Sequence, residues 1–207
     1  MKVGIIDYGR GNLRSVQKAV AALGHPAELV TDAAGVAGLD AMIFPGQGAF
    51  GECVRALNEH DLFAPIQDWL AAGKPYMGIC LGYQLLFAAS EESPGTPGFG
   101  ALPGQVVRFA SGGGLKIPQM GWNTLRFADP ADPAWAGLPA SPYVYFVHSY
   151  YPVPADESAV ASYTDYGGEF ASSVRRPRLL ATQFHPEKSQ DVGLAILRNF
   201  VERVAVE

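Results

Sequence analysis

The sequence predicts an α/β fold built on a mixed, mostly parallel sheet with helices on both faces, and three observations carry that prediction. From Val3 to Ala88, short apolar, β-branched runs alternate with stretches whose apolar residues recur at spacings of three and four, the pattern of strands feeding crossover helices. From Val106 to Phe184, short strand-like runs follow one another with no helix-length pattern between them, which predicts antiparallel additions to the same sheet. The 207 residues are 48% apolar and 17% charged, with no internal repeat or linker-like stretch. Residues 1–207 are therefore expected to form a single domain that buries roughly 70% of its unfolded surface.

In chain order, Lys2–Asp7 read as a strand closed by the turn Tyr8-Gly9-Arg10-Gly11-Asn12. Asn12 is placed to cap a helix with Leu13, Val16, Val20 and Leu23 on one face, stopped by Gly24 and Pro26. Glu28–Thr31 and Ala41–Phe44 are expected strands, and Phe50–Leu57 and Leu62–Ala72 expected helices. Pro75–Ile79 is a buried strand that runs into Cys80 and an apolar helix over Leu81–Ala88. Val106–Phe109, Thr124–Phe127, Tyr143–Val147, Ala159–Tyr163, Glu169–Val174 and Leu179–Phe184 are the later strands, punctuated by Gly, Pro, Asp or Ser. Ser111-Gly112-Gly113-Gly114 reads as a loop tip, because no Lys-Ser/Thr follows at the spacing of a phosphate cradle. Ser189 is expected to cap a last helix that buries Val192, Ile196, Phe200 and Val204.

Composition narrows the function. With 15 Lys+Arg against 20 Asp+Glu the net charge is −5, which argues against a nucleic-acid-backbone binder. Met1-Lys2 leads into only four apolar residues before Asp7, too few for a signal peptide, and no apolar run approaches the ~20 residues of a membrane span. A cytoplasmic location is expected. Two cysteines and four histidines supply neither a disulfide framework nor metal-ligand spacing, so no metal and no cofactor are expected.

One cysteine stands in an unusual setting. Gly78-Ile79-Cys80-Leu81-Gly82 has the G-x-nucleophile-x-G spacing of a nucleophile elbow between an apolar strand and an apolar helix. The sharp turn needs small residues on both sides, and it places the sulfur at a helix N-terminus, which favours thiolate over thiol. Cys53 lies in an ordinary helical stretch and reads as structural. A base and an orienting group are available in Gln183-Phe184-His185-Pro186-Glu187. If that segment is extended, His185 and Glu187 share a face, so Glu187 can hold one ring nitrogen while the other meets Cys80. By itself this stretch also fits a surface turn. Pro45-Gly46-Gln47-Gly48 follows a strand, where open α/β sheets place ligands. A backbone N–H there and that of Leu81 are the natural oxyanion donors.

Gly78-Ile79-Cys80-Leu81-Gly82-Tyr83-Gln84 together with His185-Pro186-Glu187 resembles the class I (Cys-His-Glu) glutamine amidotransferases. Ile5-Ile6-Asp7-Tyr8-Gly9-Arg10-Gly11-Asn12, Pro118-Gln119-Met120-Gly121-Trp122-Asn123 and Tyr145-Phe146-Val147-His148-Ser149-Tyr150-Tyr151 narrow the likeness to the glutaminase subunits of imidazole glycerol phosphate synthase. The resemblance implies a flavodoxin-like amidotransferase domain with Cys80 as nucleophile, His185 as acid/base and Glu187 as its orienter. It also implies Gly48 and Leu81 in the oxyanion hole, and Gln84, Glu92, Ser149 and Tyr150 around the substrate glutamine. Asn12, Trp122, Asn123, Tyr145 and Lys188 are implied to meet a (β/α)₈ cyclase subunit and gate ammonia. The implied reaction takes glutamine to glutamate and passes ammonia to that partner, which makes imidazole glycerol phosphate and AICAR in histidine biosynthesis.

Two positions depart from the family pattern: Gln119 stands where His is frequent, and Gln47 where a small apolar residue is frequent. Three rival readings share much of the motif set. They are the glutaminase of another synthase, such as the one making pyridoxal phosphate, a silent partner-binding subunit, and a stand-alone cysteine hydrolase of γ-glutamyl compounds.

Overall fold

The computed structural model describes residues 1–110 and 114–207; Ser111, Gly112 and Gly113 of the expected loop tip lie outside the described residues. The first half alternates as expected: β1 (Val3–Ile6), α1 (Leu13–Ala22), β2 (Ala27–Val30), a short α2 (Ala33–Ala37), β3 (Ala41–Gly46), α3 (Phe50–Glu59), α4 (Phe63–Ala71) and β4 (Tyr76–Cys80). Then come α5 (Leu81–Gln84), β5 (Phe87–Ser90), β6 (Leu102–Arg108), β7 (Gln119–Thr124), β8 (Arg126–Phe127), β9 (Tyr143–His148) and β10 (Tyr150–Pro154). The chain closes with β11 (Val160–Asp165), β12 (Glu169–Arg176), β13 (Leu179–Thr182) and α6 (Gln190–Asn199), which runs on into a π-turn over Phe200–Val204.

Eight strands form the main sheet in the order β2-β1-β3-β4-β13-β12-β11-β8. Pairing is parallel from β2 through β13 and antiparallel beyond it. The central strands are buried along their whole length, which is why they read as continuous apolar runs. Their side chains still alternate. Ile5, Ile43 and Ile79 enter a core shared with Val16 and Val20 of α1 and Ile196 and Leu197 of α6. Ile6, Met42, Phe44 and Tyr76 enter the opposite core, with α3 residues Phe50 and Leu57 and α4 residues Ile66 and Trp69. The period-two strands thus divide between two layers of helices.

The later strands do not all join this sheet. β10, β6 and β5 form a separate three-stranded sheet, and β7 and β9 a two-stranded one. The apolar helix expected over Leu81–Ala88 is a single turn, after which the chain turns into β5. The backbone of this stretch is claimed by a distant segment, since Phe99 and Leu102 N–H donate to the Leu85 and Leu86 carbonyls at 2.7 and 3.0 Å. A short apolar run is compatible with helix or strand, and tertiary pairing decides here. The sequence pattern does not predict α2, β5, β10 or, save for Thr124, β7. Asn12 and Ser189 stand at the N-cap positions of α1 and α6, their carbonyls accepting from Val16 and Gly193 N–H at 3.3 and 3.0 Å. Neither caps through its side chain: Asn12 Oδ1 accepts from Ser15 Oγ at 2.7 Å, and the Ser189 hydroxyl bonds no N–H of α6.

Ser189 serves another purpose. Its buried hydroxyl donates to the His185 carbonyl at 2.7 Å and accepts from the Tyr145 N–H at 3.0 Å, tying the turn after β13 to β9. Replacing Ser189 by Ala leaves two buried backbone groups without that partner, and we expect a loss of about 1–3 kcal/mol in unfolding free energy by urea titration.

Candidate active site

Register brings the chemistry to one edge. Gly46 is opposite Cys80, and Thr182 is opposite Ile79, so β3, β4 and β13 end side by side. Cys80 is the last residue of β4, with φ +55°, a left-handed conformation that non-glycine residues avoid. The neighbouring glycines permit it. A Cβ on Gly78 would sit 2.6 Å from the Gly82 carbonyl oxygen, one on Gly46 would sit 2.5 Å from Leu81 Cβ, and one on Gly82 would overlap the Phe44 carbonyl oxygen. The steric reason inferred for the elbow holds in three dimensions.

His185 and Glu187 meet as expected but by a different local route. Pro186–Lys188 form a 3₁₀ turn, not an extended segment, and that turn sets His185 Nδ1 2.9 Å from Glu187 Oε1. Both side chains are almost fully buried. Nδ1–H donates to the carboxylate, which directs the Nε2 side of the ring to the cysteine. Nε2 is buried without a hydrogen bond of normal geometry. Burial disfavours the imidazolium, but the negative charge of the neighbouring Cys80 sulfur and the Glu187 carboxylate outweigh it, and the His185 pKa is raised well above its ordinary value. The protonated form of His185 is thereby favoured.

A cavity of about 360 Å³, within the range typical of small-molecule sites, opens over these groups and is lined by Gln47, Gly48, Cys80, Leu81, Gln84 and Glu92 on one side. His148, Ser149, Tyr150, His185 and Lys188 line the other. Cys80, His185 and the residues expected in the oxyanion hole and around the substrate therefore face one space, while Glu187 lies behind His185 and outside the lining. Gly48 has φ +100°, and the preceding residue is pinned: the Tyr8 hydroxyl accepts from Gln47 N–H at 3.1 Å and donates to its carbonyl at 3.4 Å. Glu92 also accepts from the Phe50 N–H at 2.8 Å, so the cavity's carboxylate caps α3 from 42 residues away.

The residues expected at a partner face separate into two groups. Trp122 and Tyr145 pair across β7 and β9 with rings 6.0 Å apart, and Lys188 Nζ lies 5.7 Å over the Tyr145 ring. The His185 N–H donates to the Tyr145 carbonyl at 2.9 Å, so this cluster abuts the turn that carries His185 and Glu187. Asn123, on the same small sheet, donates to the Asp165 carbonyl at the end of β11 in the main sheet at 2.8 Å. Asn12 instead lines a different surface pocket, with Asp7, Gly11, Leu13, Arg14 and Leu29. Cys53, read as structural, is buried with its thiol pushed up to about 12 by desolvation.

The glutamine amidotransferase class-I family profile matches residues 4–204. The imidazole glycerol phosphate synthase subunit HisH of Rhodopirellula baltica is 48% identical over 198 residues, covering 96% of each chain. That of Syntrophotalea carbinolica is 50% identical over 201 residues, covering 95% of this chain and 97% of the relative. The chain belongs to the class I glutamine amidotransferase family, among its HisH members. A crystal structure of a glutamine amidotransferase matches with a TM-score of 0.78 at 24% identity over all of both chains. PurLQS from Thermotoga maritima matches with 0.73 at 19% identity over 97% of each, a likeness of fold.

Sequence reasoning gave no role to three residues of this amidotransferase site. Tyr8 was read only as part of a turn, and nothing local signals that its hydroxyl reaches Gln47. Gln183 lies two positions before His185, in the bend just past the end of β13, so the turn and not a strand period sets where it points. His148 is buried between the Tyr150 carbonyl and the Gln119 amide, each 2.9 Å from a ring nitrogen. A neutral ring that donates from Nδ1 to the carbonyl accepts at Nε2, which turns the Gln119 N–H toward it. Burial, with a contribution from the nearby His185 charge, lowers the His148 pKa to about 4.

Because the folded value lies below the unfolded one, the stability His148 contributes is complete above the ordinary histidine pKa and is lost as pH falls toward 4. We expect about 2 kcal/mol of unfolding free energy to disappear between pH 7 and pH 5 from this group. Urea titrations should show a smaller pH dependence in His148→Gln than in the wild-type chain; equal slopes would refute the assignment.

Proposed function

We propose that this chain hydrolyses L-glutamine to L-glutamate and ammonia through Cys80, and hands the ammonia to a (β/α)₈ cyclase subunit of imidazole glycerol phosphate synthase. The observation that carries the reading is the convergence of Cys80, the His185–Glu187 pair and the Gly48 loop on one cavity. In this reading the chain acts as one cytoplasmic amidotransferase domain and forms a heterodimer with the cyclase. Among the described residues, no helix is long and apolar enough to cross a membrane. The relatives named above are subunits of that synthase.

The Cys80 thiolate attacks the side-chain amide carbon of glutamine. Leu81 and Gly48 N–H groups hold the oxyanion of the tetrahedral adduct, each such donor being worth roughly 10²–10³-fold in rate. His185 gives its Nε2 proton to the departing nitrogen, and the C–N bond breaks to leave a glutamyl thioester and ammonia. Water enters, His185 takes its proton, and the hydroxyl displaces the sulfur to release glutamate. Gln84 and Glu92 face the cavity, where an amide oxygen and a carboxylate suit an α-ammonium group. The Ser149-Tyr150 backbone forms the opposite wall.

Ammonia released into bulk water is largely protonated and lost as a nucleophile, so a sheltered exit is chemically required. Met120, Trp122 and Tyr143 are 65%, 47% and 61% exposed on the small β7–β9 sheet, beside Tyr145, Asn123 and Lys188. In this reading that apolar strip with one cation is where the cyclase docks. Asn12 lies on a separate part of the interface, beside its own surface pocket.

In the assembled synthase, Cys80→Ala should reduce glutamine-dependent product formation to background while leaving turnover driven by ammonium salts intact. Equal loss of both would overturn the role of Cys80. Glutaminase activity should rise when the cyclase and its nucleotide ligand are added to the isolated chain; a rate independent of them favours the stand-alone hydrolase.

A further inference from the structure

The one-turn α5 leaves the Cys80 thiolate with little helix dipole to support it, since the effect grows with the number of aligned peptides. The sulfur has instead a side-chain donor. Gln183, with no solvent exposure, places Nε2 3.5 Å from Cys80 Sγ. Which end of a glutamine amide faces a neighbour is decided by its partners, and here they leave one arrangement. The Tyr150 carbonyl can only accept, so Gln84 turns its NH₂ toward it at 2.9 Å. The other hydrogen of that NH₂ points to Gln183 Oε1 at 3.1 Å. With its oxygen held there, Gln183 must turn its own NH₂ to the sulfur. The reverse rotamer would set NH₂ against NH₂ and oxygen lone pairs against a thiolate.

We propose that Gln183 is a catalytic residue of the amidotransferase reaction, a thiolate donor whose direction is imposed by the relay Tyr150 carbonyl, Gln84, Gln183, Cys80. The inference rests on Cys80 being the nucleophile and adds the group that holds it ionised. An amide N–H stabilises the anion without surrendering a proton, so it leaves the proton of Cys80 with His185, where the leaving nitrogen needs it. Hydrogen bonds along such a chain reinforce one another in a dry interior. Because Gln84 also lines the cavity, whatever occupies the cavity at Gln84 polarises the same relay.

The test is the pH dependence of Cys80 alkylation by iodoacetamide in the full chain, read from the mass of the Cys80 peptide so that Cys53 does not contribute. Gln183→Leu should raise the midpoint by about one pH unit and lower glutaminase kcat about tenfold, with KM less affected because Gln183 does not line the cavity. Gln183→Glu keeps the volume, replaces the donor by an acceptor, and should raise the midpoint further. Gln84→Leu, which does not touch the sulfur, should raise it by less, because Gln183 is then free to turn. If Gln183→Leu fails to fold, Gln183→Glu and Gln84→Leu carry the test. A wild-type midpoint in the folded Gln183 variants overturns the donor role whatever happens to turnover. Persistence of glutamine turnover in Cys80→Ala overturns the nucleophile itself, a separable result.

Discussion

The geometry of the site depends on how closely three backbone segments approach at the end of β4. Cys80 can keep its left-handed conformation because Gly78 lies against the Gly82 carbonyl, Gly82 against the Phe44 carbonyl, and Gly46 against Leu81. Any side chain at these positions would hold the strand ends apart and withdraw the sulfur from the loop carrying Gly48. The local strain, of order 1–3 kcal/mol for such a residue, is offset by the buried parallel strands on either side, which leave the backbone no room to relax. The elbow is therefore a property of the sheet as much as of the five residues that make it.

The groups around the sulfur form two systems with different tasks. His185 and Glu187 are a coupled pair in a dry turn, where the carboxylate fixes the ring orientation and favours its protonated form. Gln183 and Gln84 are neutral amides that position without titrating. Ser189 holds the His185–Glu187 turn to β9, and Tyr8 holds the loop bearing Gly48. One tether runs to β9 and the other to the turn after β1, so the cavity walls are braced from the body of the protein. The same β9 carries Tyr145 into the exposed face beside Trp122, which gives the cavity and the outer apolar strip a shared mechanical element.

Much of the fold was legible because buried parallel strands are written as uninterrupted apolar runs and amphipathic helices as apolar residues three and four apart. β1, β3, β4 and α1 could be read directly for that reason. The stretch after Cys80 could not, since Leu85, Leu86 and Phe87 are equally apolar as helix or strand, and the N–H groups of Phe99 and Leu102 made the choice. Caps were legible in position only: Asn12 and Ser189 stand at the starts of α1 and α6 without a side-chain bond to the helix, while α3 is capped by Glu92 and Ser93 from another part of the chain. Glu187 contacts His185 through a turn tighter than the extended segment that the spacing predicts.

By itself the sequence determined the reactive groups and their local spacing: an elbow with glycines around Cys80, an imidazole two positions from a carboxylate, a glycine loop after β3. Those are short-range properties, set by sterics and by how far a side chain reaches along its own strand or turn. Only the tertiary structure decided which distant groups complete them. Gln183 meets Cys80 across 103 positions, Gln84 meets Tyr150 across 66, and Tyr8 meets Gln47 across 39. Such meetings depend on strand order and register, and those are settled by the packing of the whole sheet.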